Sequence, residues 1–155
     1  MTRVQNIILV CSMILIIAAC NSSFDNSRIV EYVENNDSIK VEKWLKDGGN
    51  PNILLPDSCT LLYYATGPRG GLAVTKLLVD AGANVDKGVG KYTPLMNAAC
   101  WIAYDCVKYL LDHKANPNLI NEDGKTALQG TGSCNGCSDE IMTKSLLKKV
   151  TKPDK

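Results

Sequence analysis

The chain has 155 residues, 45% hydrophobic and 21% charged, which suits one modest globular domain and excludes a mostly disordered chain. Its formal charge is +1, so it lacks the basic stripe that would argue for nucleic acid. Seven cysteines stand against one histidine, which limits acid–base chemistry and raises the question of disulfides.

Residues 1–19 read as a processing signal outside the fold. Arg3 supplies positive charge, and Ile7 to Ile17 is an apolar run broken by Ser12. That run is shorter than the roughly 18–20 residues a spanning helix needs. Ala18, Ala19 and Cys20 follow directly. An ordinary cleaved signal peptide, or a short anchor with an incidental Cys, is the plainer reading. Ile17-Ala18-Ala19-Cys20, however, resembles the lipobox of bacterial lipoproteins. The resemblance implies cleavage before Cys20 and acylation of its thiol and new amine, palmitate among the chains. Asn21, where an Asp would favour the inner membrane, implies the periplasmic face of the outer membrane, with the inner membrane as the alternative. Residues 20–26 are then the lipidated Cys and a polar tether that reaches only about 20 Å when extended.

Residues 27–150 carry an internal repeat, and 151–155 are a short tail. Thr60-Leu61-Leu62-Tyr63-Tyr64-Ala65, Thr93-Pro94-Leu95-Met96-Asn97-Ala98-Ala99 and Thr126-Ala127-Leu128-Gln129 start successive copies, their threonines 33 residues apart. Downstream come Leu77-Leu78-Val79-Asp80-Ala81-Gly82-Ala83-Asn84 and Leu110-Leu111-Asp112-His113-Lys114-Ala115-Asn116, with an earlier copy at Trp44-Leu45-Lys46-Asp47-Gly48-Gly49-Asn50. Each Thr can cap a helix, and Pro94 falls where a missing N–H costs nothing. Val74, Leu77 and Leu78, then Val107, Leu110 and Leu111, keep helical spacing on second helices. Gly82 suits a left-handed cap, and Lys114 in its place predicts strain.

This pattern resembles the ankyrin repeat. The resemblance implies an all-α repeat solenoid of about four repeats, paired antiparallel helices with short hairpin-tip loops. Polar caps close both ends: a charged first repeat near Ser27–Asn52 and a lysine-bearing last helix near Asp139–Val150. Tyr63, Met96 and Gln129 occupy the family's usual His position, which predicts a lost helix-start hydrogen bond in each repeat. The fourth repeat holds an insert from Gly130 to Ser138.

Five cysteines lie beyond Cys20, and an odd number leaves one thiol free or paired to a partner. Cys106 reads as a small core residue. Cys100 and Cys134 stand almost one repeat apart and could be bridged, with a local Cys134–Cys137 bridge as the competitor. A redox CxxC wants a strand-to-helix context that is missing, and zinc wants four ligands where only His113 and scattered Cys are available. No hydrolase, phosphate-loop or zinc-protease motif is present, and Gly130-Thr131-Gly132 has Asn135 where a dinucleotide fingerprint needs its third Gly. No catalytic residue, metal or cofactor is expected.

The ankyrin resemblance places partner-binding positions on the hairpin tips and first helices. In repeat two these are Pro56, Asp57, Cys59, Gly67 and Pro68, with Tyr64 beside them. In repeat three they are Val89, Gly90, Tyr92, Cys100 and Trp101, and in repeat four Glu122, Asp123, Lys125, Ser133 and Cys134. Glu122-Asp123 also reads simply as turn chemistry. Tyr92 and Trp101 are the expected anchors, because large amphipathic aromatics dominate interfaces. The competing expectation buries Trp101, because Cys100 to Tyr104 is unusually apolar and Ile102 replaces the usual Gly. The implied role is a protein-binding module, monomeric until its partner arrives. Small ankyrin lipoproteins resemble immunity proteins that neutralise antibacterial phospholipase toxins. A periplasmic scaffold or stress-protection protein for an envelope enzyme is the alternative, and a CxxC redox protein a weaker third.

Overall fold

The computed structural model describes residues 28–132 and 138–151. The signal segment, Cys20, the tether, Ser133, Cys134, Cys137 and the last four residues lie outside the described residues. Seven helices form among the described residues: α1 Ile29–Glu34, α2 Ser38–Lys46, α3 Leu61–Ala65, α4 Leu72–Asp80, α5 Pro94–Cys100, α6 Tyr104–Asp112 and α7 Ser138–Val150. They pair as α1 with α2, α3 with α4 and α5 with α6. An inner row stacks α1 on α3 on α5, and an outer row stacks α2, α4, α6 and α7. Hairpin tips connect the pairs, pinned by single bridges between Leu54 and Thr60 and between Val89 and Tyr92. This is the all-α ankyrin solenoid that the repeat pattern predicts.

The threonines start the inner helices for the expected reason. Thr60 and Thr93 are extended, and each side-chain oxygen accepts a hydrogen bond from the backbone three residues on, Tyr63 N and Met96 N, both at 3.2 Å. The Thr60 hydroxyl also donates to Lys87 O at 2.8 Å, tying its helix to the next hairpin. Repeat four corrects one expectation. Its helix-start bond is kept, because Gln129 Oε1 accepts from Thr126 N at 2.8 Å, a reciprocal capping box. The helix behind it is not kept. Residues 127–130 make a single turn, closed by Gly130 N to Thr126 O at 3.0 Å. Glycine costs roughly 1 kcal/mol in a helix relative to alanine, and Gly132 N donates to Ala99 O instead of extending the turn.

The core runs between the two rows: Ile29 and Val33, Leu61 and Leu62, Leu95, Val107, Leu110 and Leu147 are fully enclosed. Ala65, Ala98 and Ala99 are enclosed too, so the inner helices approach closely. Cys106 is buried as expected, its sulfur 3.8 Å from the Thr75 hydroxyl. Polar side chains then join the repeats. Asn52 accepts from Asn84 N at 2.8 Å and donates to Gly82 O at 2.9 Å, and Asp86 accepts from Asn116 N at 2.8 Å. Asn36 reaches across to accept from Val74 N in the first turn of α4, at 3.3 Å. The N-terminal repeat is charged outside, with exposed Lys40–Asp37, Lys43–Asp47 and Lys46–Glu42 pairs. The C-terminal cap is less polar than expected. Its α7 pairs Lys144 with Glu140 at 2.6 Å, yet Ile141 and Met142 are 61% and 43% exposed.

The outer helices α2, α4 and α6 end through left-handed residues: Gly48, Gly82 and, at φ +70°, Lys114. In each case the next residue closes the turn, as Ala115 N does to Leu110 O at 3.0 Å. A left-handed lysine costs roughly 1–2 kcal/mol in backbone sterics, part of which glycine's looser unfolded chain cancels. Because the Lys114 side chain is exposed, Lys114→Gly is expected to raise the unfolding free energy by about 0.5–1 kcal/mol, read as a midpoint higher by a few degrees in thermal denaturation. A lowered midpoint would show that Lys114 is not strained. No helix among the described residues is long and apolar enough to cross a membrane.

Candidate binding face

The hairpin tips precede the starts of the inner helices, and Trp101 stands at the opposite, C-terminal end of α5. It is the C-cap of α5, its N–H donating to Asn97 O at 3.1 Å, and it is 53% exposed. The expectation that it faces solvent holds, and the buried alternative fails. Apolar Ile102 takes the left-handed turn position that a glycine would usually fill, at φ +58°.

Two hollows flank the indole. One, of about 400 Å³, is walled by Tyr63, Tyr64 and Trp101, with Gly67, Pro68 and the Glu34–Arg69 pair at its edge. The other, of about 390 Å³, is walled by Tyr63, Tyr92, Met96 and Trp101, with Asp123 and Lys125 at its lip. Tyr63, Asn97 and Trp101 line both, so the indole is one of three side chains the hollows share. Asn97 is fixed by donating to Tyr63 O at 2.8 Å, a repeat-to-repeat bond.

Carboxylates hold the outer tyrosines. The Tyr64 hydroxyl donates to Asp57 Oδ2, and the Tyr92 hydroxyl donates to Asp123 Oδ2 at 3.1 Å. Each carboxylate favours the protonated phenol, so both phenols titrate above the ordinary tyrosine range. The same Tyr64 bond, with help from Cys59 N, holds the Asp57 carboxyl below its ordinary range. The repeat-four tip is organised by the buried Asn121, whose Oδ1 accepts from Asp123 N at 3.0 Å and Lys125 N at 2.9 Å. Glu122-Asp123 therefore is turn chemistry, as the plainer reading has it, and Asp123 also faces the hollow.

The fold brings Tyr92, Trp101, Asp123 and Lys125 to one hollow and Tyr64 with Trp101 to the other, Asp57 bonded behind Tyr64. Val89 is half-buried against the core and Glu122 lies exposed on the tip, so neither lines these hollows. Cys59 is buried, and burial pushes its thiol pKa up. Cys100 is exposed, lines the second hollow and carries a free thiol, so it is not bridged in this structure; its expected partner Cys134, like Cys137, lies outside the described residues. Sequence reasoning missed Tyr63 and Asn97, although a lone Asn in the apolar run Pro94 to Ala99 is a visible signal. Among the described residues no group of His, Cys, Asp or Glu could hold a metal ion. His113 sits on the outer row instead, capping α6 with its ring 4.0 Å from that of Tyr109, whose phenol burial and Asp80 push up to about 12.

The model of ankyrin repeats matches residues 15–121 in three copies, more than half of the chain. The chain belongs to the ankyrin-repeat family. Ankyrin repeats are protein–protein interaction modules. The matched span ends before the fourth copy, the one whose inner helix is reduced to a turn. The chain is 31% identical over 109 residues to the E3 ubiquitin-protein ligase Ufd4 of Drosophila melanogaster, covering 70% of this chain and 4% of that protein. It is 38% identical over 102 residues to the putative ankyrin repeat protein FPV222 of Fowlpox virus, covering 66% and 9%. It is 48% identical over 59 residues to the E3 ubiquitin-protein ligase hecd-1 of Caenorhabditis elegans, covering 38% and 2%. The chain thus spans less than a tenth of each of these relatives.

Proposed function

We propose that this chain is a lipid-anchored binding module that grips a protein partner on the face centred on Trp101, at the periplasmic side of a bacterial outer membrane. The reading assigns it no reaction and no cofactor. The observation that carries it is the exposed indole between two hollows, each large enough for a protruding side chain of a partner. Tyr64, Tyr92, Asp57, Asp123 and Lys125 frame that contact, with Val89 and Glu122 at its margin. The partner is a toxin of the phospholipase class, which the module occludes. What supports this narrower role is the resemblance of Ile17-Ala18-Ala19-Cys20 to a lipobox, the short tether that would follow it and the small repeat body, the set expected of an inhibitor posted at a membrane.

Capture with the full chain, beside Trp101→Ala, tests the partner class. A secreted phospholipase-type effector retained by the parent and lost by the variant supports immunity. An endogenous envelope enzyme so retained overturns it in favour of a scaffold, and equal retention by both chains contradicts the binding face. The anchor has its own test. Intact mass of the membrane-extracted chain is expected to begin at Cys20 and to carry acyl groups, and Cys20→Ala to release the chain from the membrane fraction. A chain starting at Met1 with unmodified Cys20 contradicts the anchor.

A further inference from the structure

We infer that Gly132, at the start of the repeat-four insert, is a positioning residue that clamps the turn carrying Trp101 and so fixes the anchor's orientation. The inference deepens the proposed binding role and rests on it for its use, though not for its geometry.

The chain must reverse between the end of α5 at Cys100 and the start of α6 at Tyr104, and it does so over residues 101–103. The reversal needs a left-handed residue, and Ile102 occupies that place at φ +58°. A β-branched residue is a poor fit there, and such conformations persist only where their surroundings over-determine them. In repeat one the same kind of position is taken by Asn36, which tolerates φ +51° and gains a bond to Val74 N. Ile102 has no polar side chain to offer. Its turn is closed from within by Ile102 N to Ala99 O at 3.1 Å and Ala103 N to Ala98 O at 2.9 Å.

The insert closes it from outside. Gly132 N donates to Ala99 O at 3.2 Å, so that one carbonyl takes a bond from the turn and another from the clamp. Backbone here lies directly on backbone. A Cβ at 132 would fall 2.1 Å from Cys100 O and 3.5 Å from Ile102 Cγ1. No flexible side chain can yield to relieve that contact, so only glycine fits. Gly130 is the contrast. It lines the second hollow with Trp101, yet its added Cβ would come no closer than 3.5 Å, to Thr126 O. The glycine next to the anchor is replaceable, and the one behind the anchor's turn is not.

The test uses the full chain in detergent, labelled with 5-fluorotryptophan. Trp44 and Trp101 are its two tryptophans, and Trp101→Phe assigns their fluorine resonances. Gly132→Ala is expected to move and narrow the Trp101 resonance while the buried Trp44 resonance stays. An unmoved Trp101 resonance in Gly132→Ala overturns the inference. If Gly132→Ala unfolds the chain, amide exchange at Gly132 in the parent decides. Exchange slowed by roughly tenfold or more against a free coil supports the clamp, and coil-like exchange overturns it. No partner enters these readouts, so their failure leaves the binding proposal standing.

Discussion

Leu95→Ala is expected to lower the unfolding free energy by about 3–4 kcal/mol. Leu95 follows Pro94 in the first turn of α5 and is fully enclosed. Truncating a buried leucine removes its transfer free energy and leaves a cavity, which together cost roughly 2.7–5 kcal/mol in well-packed sites. The site cannot collapse easily, because Ala98 and Ala99 already bring the neighbouring helices close. Position in the array adds to the effect. Helix α5 packs on both α3 and α6, and a repeat protein is held by such neighbour interfaces. A total stability of about 5–15 kcal/mol leaves little after such a loss. Urea denaturation followed by far-UV circular dichroism measures it. A loss below about 1 kcal/mol would mean that Leu95 is not enclosed between the rows.

Much of the fold is legible because an ankyrin repeat writes its local chemistry in register. Thr60 and Thr93 announce helix starts by a side-chain oxygen suited to accept from the backbone N–H three residues on. Gly82 announces a left-handed end, and Lys114 at the same register is the same turn with a worse residue. Trp101 is the divided case: its place just past the helix favours exposure, the apolar run from Cys100 to Tyr104 favours burial, and only the packed fold leaves it exposed. What the sequence conceals is contact between repeats. Asn52, Asp86 and Asn36 look like ordinary loop residues, and their bonds to Asn84, Asn116 and Val74 exist only once repeats stack. Tyr63 and Asn97 join the site through a bond of that kind. Repeat four misleads for a related reason. Thr126 and Gln129 form a good helix start, and a carbonyl of the preceding repeat then captures Gly132 and ends the helix after one turn.

Trp101→Ala is the second large expected effect and bears on the binding face itself. Removing the indole takes away one of the three side chains that both hollows share, and Trp101 is itself exposed and outside the core. An exposed side chain of this kind contributes little to folding, so the unfolding free energy should change by less than about 0.5 kcal/mol. A central tryptophan anchor contributes about 2–4 kcal/mol to a protein interface, which is a loss of roughly 30- to 1000-fold in Kd. The most direct measurement is therefore the Kd of the captured partner for the parent chain and for Trp101→Ala, by isothermal titration, beside the thermal unfolding of both. The expected result is a loss of affinity within that range with an unchanged unfolding midpoint. Equal affinity of the two folded chains would contradict a binding face centred on Trp101.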